Sequence, residues 1–320
     1  MPVIDLPLEQ LLTYRGRNPR PADFDAYWDE ALRELRSVDP DLALKPSGFQ
    51  SPSAECFDLW FTGVRGARIH AKYARPRKPS GPLPALLCFH GYSANAGEWT
   101  ELLAQVAAGF CVCALDCRGQ GGLSEDTGGV KGTTLRGHIV RGLDDDPRNL
   151  LFRQIFLDAV QLAGLIADFT EVDPQRLCAT GRSQGGGLTL ACAALEPRIK
   201  RLAYAFPFLS DYQRVWEMDL AKGAYEELRE FFRRFDPTHA REQEIFGRLG
   251  YIDVQHLAGR IQGRTLFAVG LMDEICPPSS QFAAYNAISA PKELVIYPDF
   301  AHEDLPGWPD RCFQFFLEQG

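Results

Sequence analysis

The sequence predicts an α/β fold, with a twisted, mainly parallel sheet that carries helices on both faces. From residue 85 onward, short apolar runs of strand length alternate with helical patterns, and this alternation is typical of parallel strand–helix–strand units. The segment 177–190 reads as a strand, a tight glycine-containing turn and a helix of small residues. A chain of 320 residues with a hydrophobic fraction of 45% can bury a large core. We therefore predict a single domain over residues 1–320.

Residues 1–50 are predicted to form a helical extension ahead of the alternating part. Its main element is an amphipathic helix beginning at Pro21, whose apolar positions recur at helical spacing: Phe24, Trp28, Leu32 and Leu35. We expect this apolar stripe to pack on the main body. Two extended segments follow, Glu55–Gly63 and Ala67–Arg75, and the glycine-containing turn between them predicts an antiparallel hairpin.

The alternating part supplies most of the predicted sheet. Its strands are predicted at Ala85–His90, Phe110–Asp116, the run that begins at Leu177, Arg201–Phe206, Thr265–Gly270 and Leu294–Tyr297. Its helices are predicted at Glu98–Ala107, Pro147–Phe169, Leu188–Leu195, Pro277–Ile288 and Trp308–Glu318. Residues 211–260 interrupt this rhythm because they are helical, charged and aromatic, which indicates a helical cap inserted between two strands.

Composition excludes several classes of partner. The net charge of −8, without clustered Lys and Arg, argues against nucleic acid. The first residues lack the basic and apolar regions of a secretory leader, and no apolar run reaches membrane-spanning length, so we expect no membrane partner. Nine cysteines without a Cys-x-x-Cys pair favour reduced thiols, a cytoplasmic location and the absence of a zinc site.

The turn after the Leu177 strand carries the clearest chemical motif. Residues 181–185 read Gly-Arg-Ser-Gln-Gly, the Gly-x-Ser-x-Gly pattern of a nucleophile elbow, with Ser183 at its tip. Such a turn strains the serine backbone, and glycine is needed at both ends because a Cβ there would meet the neighbouring strand or helix. A plain glycine-rich turn is the alternative for these five residues. The preceding strand and the following helix favour the nucleophile.

Two further loops supply partners for Ser183, because reactive groups collect at the carboxyl ends of parallel strands. His302 follows the last predicted strand, where a general base is expected, and Asp273 follows the strand before it. The order Ser183, Asp273, His302 is the one expected of a serine nucleophile on an α/β sheet. Asp299 is the alternative orienting carboxylate, but it lies three residues before His302 and more naturally shapes that turn.

The loop after the first alternating strand predicts an oxyanion hole. Its backbone donors would be the N–H of Tyr92 and the N–H of Gln184, the residue after the nucleophile. Another glycine-rich loop, residues 116–122, fits neither a phosphate-binding loop nor a dinucleotide fingerprint, and we interpret it as a turn held by Arg118. Acyl transfer by such a site needs no metal and no organic cofactor, so none is predicted.

Three separated motifs carry a family resemblance. Arg118-Gly119-Gln120-Gly121, residues 181–185 and His302-Glu303 together resemble the signature of the cephalosporin C deacetylase and acetyl xylan esterase family, carbohydrate esterase family seven. The likeness runs from Pro21 to the C-terminus and includes these further stretches: Phe89-His90-Gly91-Tyr92, Arg141-Gly142-Leu143-Asp144-Asp145, Pro207-Phe208-Leu209-Ser210-Asp211 and Leu271-Met272-Asp273-Glu274-Ile275-Cys276-Pro277-Pro278. The family usually has Gly where this chain has Arg182.

The resemblance implies an intracellular α/β-hydrolase that removes acetyl groups from small acetylated sugars, xylo-oligosaccharides and cephalosporin C. It implies Ser183 as nucleophile, His302 as base and Asp273 as its partner, with Tyr92 and Gln184 as backbone donors. It also implies a ring-shaped homo-hexamer. The alternatives are a carboxylesterase or serine peptidase of the same fold and, less favoured, a non-catalytic binding protein, in which a member of the Ser–Asp–His set would be missing.

Overall fold

The computed structural model describes residues 4–79, 81–128 and 137–318, so the two ends of the predicted domain lie outside the described residues. In these ranges, nine strands form one sheet in the order β1-β2-β3-β5-β4-β6-β7-β8-β9. The strands are β1 Ala43–Pro46, β2 Ala54–Thr62, β3 Arg68–Pro76, β4 Leu83–Phe89, β5 Cys111–Leu115, β6 Val172–Arg182, β7 Ile199–Ala205, β8 Arg264–Gly270 and β9 Lys292–Tyr297.

The pairing of these strands confirms a mainly parallel sheet. From β5 through β4 and β6 to β9, all neighbours run parallel, whereas β1, β2, β3 and β5 pair antiparallel in that order. The predicted hairpin is present, because β2 and β3 pair in continuous register from Ala54↔Pro76 to Thr62↔Arg68. All six strands predicted for the alternating part are also present.

Helices lie on both sides of this sheet. They are α1 Leu8–Leu11, α2 Phe24–Arg36, α3 Leu103–Ala107, α4 Leu151–Ala167, α5 Gln184–Leu195, α6 Tyr212–Glu217, α7 Glu226–Phe235, α8 Glu242–Leu249, α9 Val254–Ala258, α10 Pro278–Ala287 and α11 Trp308–Leu317. The predicted stripe of α2 is largely in the core, with Phe24 and Trp28 fully buried. Four helices, α6 to α9, fall within the predicted cap.

Three local features differ from the sequence prediction. The helix predicted over Glu98–Ala107 is a 3-10 helix at Trp99–Leu102 followed by α3. The N-terminal segment is not wholly helical, because Ala43–Pro46 adds strand β1 to the edge of the sheet beside β2. The helix predicted from Pro147 begins at Leu151 instead, since Leu150 has an extended backbone (φ −57°, ψ 129°) and is fully buried. The residues just before it form a single tight turn, which Asp146 caps by accepting from the Arg148 N–H.

The described residues show two further features: the character of the helices and the state of the cysteines. None of the helices in the described ranges combines the length and apolar character that a bilayer crossing needs. All nine cysteines fall within those ranges, and each is an unpaired thiol.

A buried ion pair holds the loop that follows β5, as predicted for Arg118. The Arg118 guanidinium is 1% exposed, and its Nε and Nη2 donate to the two carboxylate oxygens of Asp158 on α4, at 2.6 and 2.5 Å. Its Nη1 donates to the carbonyl of Val64 at 3.2 Å. Burial raises the pKa of Asp158, and Arg118 opposes that rise by stabilising the charged form.

We expect Arg118→Met to lower the free energy of unfolding by about 3–5 kcal/mol, because Asp158 would remain buried without its partner. The double variant Arg118→Met/Asp158→Leu should regain much of this loss, since it removes both charges. Urea unfolding curves of the wild type and the two variants measure the difference. A double variant as unstable as the single one would contradict this explanation.

A second buried cluster joins the N-terminal segment to the predicted cap. The carboxylate of Asp211, the residue before α6, accepts hydrogen bonds from the Tyr14 hydroxyl at 2.8 Å and from the backbone N–H groups of Arg17 and Asn18 at 2.9 and 2.8 Å. The N–H of Asp211 in turn donates to Asp253 at 2.9 Å. Because both carboxyl groups are buried, this cluster fixes the position of the N-terminal segment against α6 and α9.

The Asp253 carboxyl should make stability depend on pH. Burial is the main cause that raises the pKa of Asp253, and the neighbouring charge of Asp211 adds to it, so that the pKa is about 8. An unfolded Asp titrates near pH ~4, so the folded state binds the extra proton between about pH 4 and pH 8. The free energy of unfolding should therefore fall as pH rises through that window, by up to about 1.4 kcal/mol per pH unit.

Urea unfolding at several pH values between 5 and 9 tests this dependence. Asp253→Asn should flatten the slope, while Asp219→Asn, at an exposed position, should keep the wild-type slope. Equal slopes in all three proteins would rule out Asp253 as the source.

Candidate active site

Ser183 occupies the turn between β6 and α5 in a strained backbone conformation. Its φ of 56° and ψ of −123° lie outside the regions that residues with a side chain prefer. A Cβ at Gly181 would overlap the backbone of Gly185, and a Cβ at Gly185 would overlap the carbonyl oxygen of Phe89. The predicted reason for both glycines is thus confirmed, and the turn projects Ser183 from the carboxyl end of β6.

His302 and Asp273 form a hydrogen-bonded pair. His302 Nδ1 lies 2.8 Å from Asp273 Oδ2, and the Asp273 side chain is fully buried in the loop after β8. The other carboxylate oxygen, Oδ1, accepts the N–H groups of Ile275 and Cys276, both at 2.8 Å. Asp299, the alternative partner from the sequence, is exposed. The structure therefore pairs His302 with Asp273, the residue that sequence reasoning favoured.

Ser183 and His302 line the same cleft, which has a volume of about 490 Å³. Since Nδ1 of His302 faces Asp273, its Nε2 is the nitrogen left to act on Ser183. The His302 ring also packs 5.0 Å from the ring of Phe206 at the end of β7. A hydroxyl and an imidazole in one cleft, with a buried carboxylate bonded to the imidazole, can carry out nucleophilic acyl transfer.

Cys276 also lies at this site, although sequence reasoning gave it no role. Its thiol is fully buried, and burial raises the pKa of that thiol well above the usual value, while an interaction with the Ser183 hydroxyl opposes the rise. One donor atom each from Asp273, Cys276 and His302 lie within 4.8 Å of one another, the arrangement closest to a metal site in the described ranges. Asp273 and His302 already bond to each other, and the thiol beside them is neutral. The prediction that no metal is needed stays a prediction.

The side chain of Gln120 connects the segments that carry the two predicted oxyanion donors. Gln184 is the first residue of α5, where backbone N–H groups lack intrahelical partners, and Tyr92 lies in the turn after β4. Gln120 Nε2 donates to the side-chain oxygen of Gln184 at 2.9 Å, and Gln120 Oε1 accepts the N–H of Ser93 at the same distance. Sequence reasoning missed this bridge, although its signal was the Arg118–Gly121 motif.

Arg182, the departure from the family pattern, is engaged at the rim of the cleft. Its guanidinium forms an ion pair with Asp304, two residues beyond His302, and lies 5.9 Å from the centre of the Phe206 ring. Both partners are solvent-exposed, so this pair adds little stability. It does connect the loop of the nucleophile to the loop of the histidine.

Comparison with known proteins shows the family to which the chain belongs. A model of the acetyl xylan esterase family, AXE1, matches residues 1–319. The chain belongs to the acetyl xylan esterase family. Membership makes it a carboxylic ester hydrolase, and the strand order with its serine-bearing turn is the α/β-hydrolase fold of that family's solved structures.

Two solved members of the family are similar over nearly their whole length. Acetyl xylan esterase 1 from Thermoanaerobacterium sp. JW/SL YS485 is 59% identical with a TM-score of 0.97, and the match covers 98% of this chain and 99% of that one. The acetyl xylan esterase from Paenibacillus sp. R4 is 36% identical with a TM-score of 0.93, covering 97% and 99%.

A curated relative is longer than this chain. The acetyl esterase Axe7A of Xylanibacter ruminicola is 27% identical over 300 residues, which make up 92% of this chain. The match spans only 65% of the length of Axe7A.

Proposed function

We propose that this acetyl xylan esterase family member removes acetyl groups from small acetylated carbohydrates, namely acetylated xylose and xylo-oligosaccharides, and from cephalosporin C. The proposal rests on one observation above the others. Ser183 and His302 share a cleft, and a fully buried Asp273 holds Nδ1 of His302 at 2.8 Å. The names of the two similar acetyl xylan esterases support the substrate class.

The reaction proceeds by acyl transfer through an acetyl-enzyme. Ser183 Oγ attacks the ester carbonyl while His302 Nε2 takes its proton, and Asp273 stabilises the imidazolium that forms. The N–H groups of Tyr92 and Gln184 hold the tetrahedral oxyanion. The C–O bond to the sugar then breaks, and His302 returns its proton to the leaving oxygen. Water activated by His302 adds to the acetyl-enzyme, which releases acetate and restores Ser183.

An acetate-release assay tests the substrate class. Acetylated xylose, acetylated xylo-oligosaccharides, polymeric acetylated xylan and cephalosporin C should be compared at equal ester concentration. We expect the small substrates to be hydrolysed with higher kcat/KM than the polymer. Equal rates on the polymer, or no acetate from any of the four, would contradict the proposal.

The alternative functions differ in the acyl group or the bond cleaved. A cleft of about 490 Å³ lies in the lower half of the range of roughly 300–1,000 Å³ for small-molecule sites, which suits a short acyl chain. We therefore expect p-nitrophenyl acetate to be hydrolysed faster than p-nitrophenyl octanoate, and a peptide p-nitroanilide to be inert. Preference for octanoate would favour a long-chain carboxylesterase, and cleavage of the anilide would favour a peptidase.

We also propose a homo-hexamer located in the cytoplasm. The hexamer rests on the family resemblance, and the location is supported by nine unpaired thiols, which persist in a reducing compartment. Multi-angle light scattering of the purified protein tests the assembly, with a mass near six chains as the expected result. A monomer or dimer at micromolar concentration would overturn it.

A further inference from the structure

A buried carboxyl group of the cap contacts the predicted oxyanion loop. Glu227 lies in the first turn of α7 and is 5% exposed. Its Oε1 accepts the hydrogen bond of the Tyr92 hydroxyl, and its Oε2 accepts the N–H of Val140 at 2.9 Å. The Tyr92 hydroxyl itself accepts the N–H of His138 at 3.0 Å. The Tyr92 hydroxyl is thus bonded on both sides, to the cap and to the segment 137–140.

Close packing surrounds the same contact. A Cβ at Gly137 would overlap the carboxylate of Glu227, so the backbone approaches this group as closely as glycine allows. The Tyr92 ring lies 4.7 Å from the ring of His138 and meets the ring of Phe208 edge-to-face at 5.5 Å. These contacts leave the Tyr92 side chain little room to change rotamer while Glu227 is in place.

The nucleophile is connected to this packing through the main chain. The N–H of Phe208 donates to the carbonyl of Ser183 at 3.0 Å. The ring of Phe208 that meets Tyr92 is therefore carried by a backbone bonded to Ser183. A shift of the Tyr92 side chain would change the distance between the two halves of the predicted oxyanion hole.

A carboxyl group in this position is costly without a role. Burial raises the pKa of Glu227 to about 7, although the hydrogen bonds from Tyr92 and the backbone favour its charged form. An apolar side chain at this position would avoid burying a carboxylate, but it would leave the Tyr92 hydroxyl and the buried N–H of Val140 without their acceptor. The carboxyl group lies at a contact whose other member, Tyr92, carries a predicted catalytic N–H.

We propose that Glu227 is a positioning residue for the oxyanion hole, which it serves by holding the Tyr92 side chain and thereby the Tyr92 main-chain N–H. This inference rests on the proposed function of Tyr92 as a backbone donor. If Glu227 has this role, the position of helix α7 contributes to stabilisation of the transition state. A change in Glu227 should therefore act on kcat rather than on ground-state binding.

A double-mutant cycle tests the proposal. Tyr92→Phe and Glu227→Gln should each lower kcat for p-nitrophenyl acetate by about 10–100-fold, less than the ~100–1,000-fold loss of a whole oxyanion donor, with KM within twofold. The double variant should be no slower than the slower single variant, because the two side chains act through one bond. The control Glu226→Gln removes an exposed charge from the same helix turn and should match the wild type.

Two outcomes would overturn the proposal: additive losses in the double variant, or a raised KM with unchanged kcat. If Glu227→Gln fails to fold, Tyr92→Phe tests the same bond from its other end, through the inhibition constant of methylboronic acid, whose serine adduct mimics the oxyanion. That constant should rise by the same factor by which kcat falls. Ser183→Ala separates the two claims. Full activity in that variant defeats the proposed function, whereas an inactive Ser183→Ala with an additive cycle defeats only the role of Glu227.

Discussion

Replacing Ser183 with Ala is expected to lower kcat for p-nitrophenyl acetate by roughly four to six powers of ten. The substitution removes the hydroxyl at the tip of the strained turn between β6 and α5, while His302 and Asp273 remain paired. Without a nucleophile, the remaining site can only bind the ester and stabilise an oxyanion formed by water. That residual contribution sets the lower limit of the rate.

A second serine provides the matched control. Ser210 is fully buried, and among the described residues its hydroxyl has no hydrogen-bond partner. Ser210→Ala should therefore keep kcat within about twofold, because neither a bond nor appreciable volume is lost. Release of p-nitrophenol, followed spectrophotometrically, gives kcat for the wild type, Ser183→Ala and Ser210→Ala. Circular dichroism of the same three proteins checks that they are folded. More than about one part in a hundred of wild-type activity in Ser183→Ala would place the nucleophile elsewhere.

Asp273→Asn is expected to lower kcat by about 10⁴-fold, while the fold is kept. The amide oxygen can still accept the N–H groups of Ile275 and Cys276, which hold Oδ1 in the present structure. The amide nitrogen would then face His302 Nδ1 and force it to accept a hydrogen bond. The neutral imidazole would carry its proton on Nε2, where it could no longer take the proton of Ser183.

Asp299→Asn is the matched comparison for this substitution. It makes the same chemical change in the loop that carries His302, but at an exposed position. We expect kcat within about threefold of the wild type, which is the size of a minor electrostatic change. Unfolding midpoints should be measured for both variants. If Asp299→Asn shows the large loss and Asp273→Asn does not, the orienting carboxylate has been assigned to the wrong residue.

The sheet and the Ser183–Asp273–His302 set were predictable because each depends on local sequence. Ser183, Asp273 and His302 each follow an apolar run of strand length, and parallel strands bring their carboxyl ends to one edge. The spacing of apolar residues therefore predicted which loops meet. The sequence also favoured Asp273 over Asp299, since Asp299 lies in the same loop as His302, three residues before it.

The rest depended on contacts that local patterns do not encode. Strand β1 has four residues and a proline at its end, so only its pairing with β2 defines it. Leu150 interrupts a helical pattern because its burial against the core outweighs helix propensity. The bond between Tyr92 and Glu227 joins residues 135 positions apart, and the Cys276 thiol reaches Ser183 from another loop. Such pairs are set by tertiary packing.

The cluster around Asp211 has a consequence for the design of chimeras between homologous proteins. Tyr14, Arg17 and Asn18 all bond to this one carboxylate, so it attaches the N-terminal segment to the start of α6. A chimera that imports helices α6 to α9 from a homologue with different substrate preference would bring a foreign surface to this attachment. Grafts of this kind should include both segments as one transplantable unit, or leave both untouched.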